Sequence, residues 1–486
     1  MKAGIRLTAA DGIGLVADAY PPATGRPGPV VVTRTPYDRA AHRSEGFGWA
    51  RNGFGYVVQD VRGRYGSDGV WEPYRHERDD GTALVDWVLR QPWCDGRVVA
   101  LGGSYSAYTA WAMAVSRPAA VRAVISFGAA MDLARVKFDR SGILRLAEHA
   151  TWWAERAEAR TSRTGLAAEM FAHQPGLIRH LPVAELEQLM WPELTRWTEV
   201  IDNGPDHVGS ETITDAELAT LDAATLHIGG WYDLLLDETL HQWHTTGPNR
   251  SLLIGPWDHE LGHATTTVVG HRDHGPDSRI RIGDVLLNWL HTALAGDRPS
   301  PAARVFVIGH GWTDHPTWPP PTTPRTWYAH SDGTLDHHHG TAATTLKHDP
   351  ADPYPSADPG ADRSALLRRR DDAARFVTAP LTVGVTIAGR PALTVDSDGD
   401  GDIVARLLEV AADGTAIAVS QGAGTLFDET AVHVPAGSRL MLEVTGGDFP
   451  LLARYLADDR YHGTDTTPTQ RHLHRLTLTL PLLEDS

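Results

Sequence analysis

From residue 1 to about 130, short runs of consecutive apolar residues alternate with segments patterned like helices. Strands are predicted at 12–19, 29–34, 55–61, 97–102 and 121–127, and helices over Asp79–Arg90 and Tyr105–Ser116. The apolar runs do not alternate with polar residues, so both faces of each strand are covered. That favours parallel pairing with right-handed helical crossovers. From 131 to about 220 the strand signal vanishes. This stretch is rich in Ala, Leu, Glu and Arg and carries Trp152, Trp153, Trp191 and Trp197, which predicts a helical insertion. The strand rhythm returns at 224–230 and 251–255, and a helix at about 282–295 is expected to close the sheet domain.

Past residue 300 the pattern changes again. Arg304–Ile308, Leu381–Ile387, Ile403–Val410, Arg439–Val444 and His474–Leu480 are short runs separated by Gly, Pro and Asp turns. Such spacing predicts an all-β sandwich, with Pro316–Pro324 as a connector. The expected division is a sheet domain in two parts (1–130 and 223–300), a helical cap (131–222) and a β domain (301–486). A chain of 486 residues exceeds what one core supports, in keeping with that division.

Charge and cysteine content remove several function classes. The net charge of −17 gives no attraction to nucleic acid or an anionic membrane. Cys94 is the only cysteine, so neither an intrachain disulfide nor a thiolate metal cluster can form. It sits in a turn-like stretch with no neighbouring His to activate a thiol. No run approaches the roughly 18 apolar residues of a membrane span, and the N-terminus lacks a signal-like apolar core. A cytoplasmic protein is expected.

The strongest chemical signal is Val98-Val99-Ala100-Leu101-Gly102-Gly103-Ser104-Tyr105-Ser106-Ala107. A strand runs into Gly-x-Ser and a helix starts at once, which presents a hydroxyl on a sharp elbow. The helix N-terminus below it offers free N–H donors to a developing oxyanion. Ser106 occupies the last glycine position of the usual Gly-x-Ser-x-Gly pattern. A serine attacks only if a base takes its proton and an acid orients that base. In α/β-hydrolases these follow in the order Ser, acid, His, from loops after later strands. Two later strands end suitably, in Gly229-Gly230-Trp231-Tyr232-Asp233 and in Ile254-Gly255-Pro256-Trp257-Asp258-His259. Asp233 and His259 are the expected partners of Ser104. Asp237 and Asp258 stand as alternative carboxylates, and His263 lies four residues beyond His259.

At these residues the chain resembles the family of cocaine esterase, bacterial X-Pro dipeptidyl peptidases and α-amino-acid ester hydrolases. Four segments carry the likeness. They are Thr33-Arg34-Thr35-Pro36-Tyr37-Asp38, the stretch from Gln59 to Gly69, the Gly-x-Ser-Tyr elbow, and the pair Gly-Trp-Tyr-Asp with Gly-Pro-Trp-x-His. The region from Ser397 to Val410 looks like the family's jelly-roll strands. The resemblance implies an α/β-hydrolase sheet, a helical cap over the active site and a C-terminal jelly roll. It implies a nucleophile at Ser104, an acid at Asp233 and a base at His259. It also implies an oxyanion hole made by the Tyr105 backbone N–H and the Tyr37 phenol. Ala107 stands where the family usually has glycine, and the shorter chain implies a reduced cap.

Trp152, Trp153 and Trp231 are candidate substrate contacts. Adjacent helical residues point about 100° apart, so at most one of Trp152 and Trp153 faces the site. Asp396 to Asp402 mimics part of a calcium loop, but Leu407 stands where the loop needs Glu. It is read as a turn, and His337-His338-His339 as a solvated loop. Gly63, Gly66 and Gly69 do not match a nucleotide-binding spacing. The expected function is hydrolysis of a small-molecule ester or amide without metal or organic cofactor, with a homodimer as the assembly considered. Acyl transfer or X-Pro/aminoacyl peptidase activity with the same triad, and a silent binding module, are the rival readings.

Overall fold

The computed structural model describes residues 1–131, 133–157, 160–190, 197–205, 212–259, 266–300 and 302–484. Trp191 and His263 lie outside them. The N-terminal strands are β1 (Lys2–Thr8), β2 (Gly14–Tyr20), β3 (Gly28–Thr35), β4 (Gly55–Asp60), β5 (Cys94–Gly103), β6 (Val121–Phe127), β7 (Ala224–Tyr232) and β8 (Arg250–Asp258). With Ala303–Val307 and Gly311–His315 they form one ten-stranded sheet in the order β1-β2-β4-β3-β5-β6-β7-β8 and then those two. Pairing is parallel from β4 through β8 and on to Ala303–Val307. The outermost pairs are antiparallel.

Burial explains why the central strands read as solid apolar runs. Val30 and Val32 of β3 enter one core while Val31 between them enters the core on the opposite face. The crossover helices are α1 (Arg43–Arg51), α2 (Glu77–Leu89) and α3 (Tyr105–Ser116). α3 is buried from Tyr105 through Ala114, which its run of small and aromatic residues permits.

Two expectations need correction. The sheet does not close with the helix Ile282–Leu294, because Ala303–Val307 continues it beside β8. The sequence pattern groups Arg304–Ile308 with the C-terminal region. Its Val305, Phe306 and Val307 are buried in the manner of an inner parallel strand. β1 was not anticipated at all, since it is an edge strand whose side chains are mostly exposed.

Between β6 and β7 the described residues form short helices, among them Leu146–Trp152 and Trp197–Asn203. This helical insertion packs into the same core as α2 and α3 through Leu146, Ala150, Trp153 and Trp197. The C-terminal domain is β-rich. A seven-stranded sheet is organised on the long strand Thr469–Leu482, and a four-stranded sheet is built from Ala373–Val377, Arg439–Thr445, Val404–Val410 and Ala416–Ala423. Leu393, Leu476 and Leu478 meet Leu407, Leu440 and Leu442 in the core that both sheets share.

Candidate active site

β5 runs into a turn whose apex is Ser104, at φ 54° and ψ −124°, a conformation that costs a non-glycine residue energy. Packing holds it there. The Ser104 amide donates to the Phe127 carbonyl at 2.9 Å, and the Ser104 carbonyl accepts from Ala107 and Ala130. A Cβ on Gly102 would lie 1.9 Å from the Ser106 carbonyl oxygen, so this tight path requires glycine there. Ala107 is fully buried in the core.

The loops after β7 and β8 bring Asp233 and His259 to that apex. His259 Nε2 lies 3.1 Å from Ser104 Oγ, and Nδ1 lies 2.8 Å from Asp233 Oδ1. The Asp233 carboxylate has no exposed surface, and its Oδ1 also accepts the Leu235 amide at 2.8 Å. These contacts fix the carboxylate so that Nδ1 carries the imidazole proton and Nε2 faces the hydroxyl. The Tyr37 phenol lies 3.4 Å from Ser104 Oγ, at the end of the loop leaving β3. That loop is pinned by Arg64, which donates to the Pro36 carbonyl at 3.0 Å and stacks over Trp71. Tyr105 opens α3, so its backbone N–H has no partner within the helix.

The alternative carboxylates are placed elsewhere. Asp237 pairs with Arg140, and Asp258 is exposed. Trp152 is half-buried and stacks on Tyr105 at 6.3 Å, with the Lys137 ammonium 4.5 Å from its ring centroid. Trp153 is a correction: it is wholly buried, edge-on to His149 at 5.9 Å, and meets no solvent through which a substrate could reach it. Trp231 donates to the Phe306 carbonyl at 2.6 Å and packs on Trp318. It also lines a cavity of about 470 Å³ that adjoins His259 at the seam with the insertion and the β domain. Leu234, Leu426 and Leu451 line the same space.

Sequence reasoning missed Gly128, which follows β6 with φ +43°. A Cβ there would come 2.5 Å from Asp233 Oδ2 and 3.4 Å from the His259 ring. The one available signal was a glycine at the carboxyl end of the strand beside β5. Burial pushes the Cys94 thiol up, the opposite of what activates a nucleophile. Asp396 and Asp398 pair across the sheet with Arg475 and His474. Among the described residues no three His, Cys, Asp or Glu side chains converge as a metal requires.

The sequence profile of the X-Pro dipeptidyl-peptidase (S15 family) matches residues 11–260. The chain belongs to the S15 family. The profile of the family's X-Pro dipeptidyl-peptidase C-terminal non-catalytic domain matches residues 296–428. A cocaine esterase of Rhodococcus sp. (strain MB1 Bresler) is 28% identical, over 90% of this chain and 89% of that protein. An α-amino acid ester hydrolase structure superposes with a TM-score of 0.81 at 20% identity, covering 99% of this chain and 96% of its own. An aminopeptidase from a marine sediment archaeon, Thaumarchaeota archaeon, gives a TM-score of 0.78 at 19% identity, covering 99% and 97%. S15 membership and the α/β-hydrolase fold point to a serine-hydrolase type of esterase mechanism. Among the described residues no helix is long and apolar enough to cross a membrane.

Proposed function

We propose that this S15-family chain is a serine carboxylesterase with Ser104 as nucleophile, His259 as general base and Asp233 as orienting acid. The observation that supports it is the continuous relay from Asp233 Oδ1 through His259 to Ser104 Oγ, with links of 2.8 and 3.1 Å. His259 Nε2 takes the hydroxyl proton as Ser104 Oγ attacks the ester carbonyl. The tetrahedral oxyanion is held by the Tyr37 phenol and the Tyr105 amide, and His259 returns the proton to the leaving alcohol. A water deprotonated by His259 then releases the acid from Ser104.

An ester is favoured over an amide for two reasons. The chain is similar over most of its length to a cocaine esterase. The cavity beside His259 also has Leu234, Leu426 and Leu451 in its wall, beside charged residues such as Arg145, Asp237 and Asp428, and its apolar side suits a bulky apolar substituent. A homodimer and a cytoplasmic location belong to the same proposal. The test is a panel of p-nitrophenyl esters of graded acyl length beside aminoacyl p-nitroanilides. Esters are expected to turn over faster than every anilide. Anilides with a free α-amine outpacing all esters would overturn the ester assignment.

A further inference from the structure

Beneath the elbow lies a set of buried charges that the proposed chemistry does not use. Arg34 in β3, with Glu77 and Asp80 at the start of α2, are all essentially without exposed surface. Arg34 Nη1 lies 2.5 Å from Glu77 Oε2 and donates to the Glu77 carbonyl at 3.0 Å, while its Nε donates to Gln59 Oε1 at 2.9 Å. Arg34 Nη2 reaches Asp80 Oδ2 at 3.4 Å, and Arg62 clasps both Asp80 oxygens at 2.7 and 3.1 Å. Desolvating such groups costs several kcal/mol each, and a well-packed apolar replacement is often as stable. Stability alone therefore gives little reason for ions at this place.

The ions converge on the two segments that carry the proposed oxyanion donors. The Tyr105 phenol donates to Glu77 Oε1 at 2.8 Å and accepts the Tyr74 amide at 2.8 Å. To deliver that amide, Tyr74 adopts φ 62°, and His76, which caps α2, adopts φ 77°. Both are left-handed conformations that non-glycine residues hold only when the surroundings enforce them. On the other side, the Arg34 carbonyl accepts Thr109 Oγ1 of α3 at 2.8 Å, and Arg34 lies three residues before Tyr37. Burial beside Glu77 pushes the Tyr105 phenol well above its ordinary range, so it stays a hydroxyl donor.

We infer that the Tyr105 phenol, Glu77 and Arg34 are positioning residues: one buried ionic knot that sets the Tyr105 amide and the Tyr37 loop in register as the two halves of the oxyanion hole. The inference rests on the Ser104 esterase reading. Tyr105 thus works at both ends, its amide toward substrate and its phenol toward the knot.

The test compares wild type with Y105F and E77Q in the full chain, with rates expressed per active site titrated by the p-nitrophenol burst so that misfolded protein is not counted. Y105F keeps the ring and loses only the hydroxyl. A donor displaced by a fraction of an ångström is expected to cost about tenfold to a hundredfold in kcat, with KM changed less than about threefold. Phenylboronic acid, whose serine adduct carries an oxygen in the oxyanion position, should lose affinity by the same factor as kcat/KM. E77Q should lie between Y105F and wild type. Combining Y105F with Y37F should cost less than the product of the single effects, since both act on one hole. Wild-type kcat and boronate affinity in Y105F and E77Q would overturn the knot, even if thermal stability fell. An S104A variant as active as wild type would instead overturn the reading beneath it.

Discussion

Asp233→Asn is the substitution on which the relay is most exposed to refutation. Oδ1 faces two donors, the His259 Nδ1–H at 2.8 Å and the Leu235 N–H at 2.8 Å, while Oδ2 is buried against Gly128 and has no hydrogen-bond partner among the described residues. An asparagine has two ways to fill that space. With its oxygen toward His259 and Leu235, its NH₂ sits in the dry space beside Gly128, an unsatisfied donor costing about 1–3 kcal/mol. With its NH₂ toward His259, it forces the imidazole into the tautomer with the proton on Nε2. That nitrogen then donates to Ser104 and cannot accept its proton. The second arrangement avoids the unmet donor but opposes the Leu235 N–H, and in neither does a neutral amide stabilise an imidazolium as the carboxylate does. The same acid-to-amide exchange in serine proteases costs about 10⁴ in kcat, equivalent to about 5 kcal/mol at 1.36 kcal/mol per tenfold. Steady-state hydrolysis of a p-nitrophenyl ester at pH 7–8, with circular dichroism to confirm the fold, reads the effect directly. A D233N enzyme within tenfold of wild-type kcat would refute the assignment of Asp233.

Other outcomes follow from the same geometry. Tyr37→Phe should lower kcat about 10²–10³-fold with little change in KM or melting temperature, because it removes one proposed oxyanion donor and leaves the ring. An unchanged kcat would remove Tyr37 from the hole. Gly128→Ala places a methyl 2.5 Å from Asp233 Oδ2 at a positive φ, so kcat should fall at least about tenfold as the acid is pushed from His259; wild-type activity would show that this contact is not tight. Asp428, which lines the seam cavity, is raised from 3.8 to about 6 by burial, with Asp139 and Glu429 adding to the rise against Arg145 and Arg390. A raised folded pKa means the contribution to stability is present below about pH 4 and is lost as pH rises through 6. Asp428→Asn should therefore raise the melting temperature at pH 8, by at most about 3 kcal/mol in stability, and leave it unchanged near pH 4. A variant destabilised at pH 8 would contradict the burial argument.

The parts of the fold legible in the sequence are those governed by local burial. β3, β5 and α3 read clearly because strands buried on both faces and a helix buried all round leave unbroken apolar text. β1 did not, since an exposed edge strand carries no apolar pattern. Ala303–Val307 was visible as a strand, but whether it joined the first sheet or the second is a long-range pairing that local pattern does not encode. At the site, Ser104, Asp233 and His259 drew notice because each ends a recognisable strand, and the structure brings the three together. Gly128 and the Arg34–Glu77–Tyr105 contacts were not legible. They arise where segments far apart in sequence pack, and no single segment announces them. Trp152 and Trp153 are adjacent, and nothing in the local sequence tells which of the two is the core residue; burial makes it Trp153.

The most direct test is chemical. Incubating the wild-type chain with a fluorophosphonate and mapping the modified peptide by mass spectrometry should find one adduct, on Ser104, with loss of esterase activity in step. S104A should take up none. Labelling of another residue, or full activity after Ser104 is modified, would contradict the relay from Asp233 through His259 to Ser104.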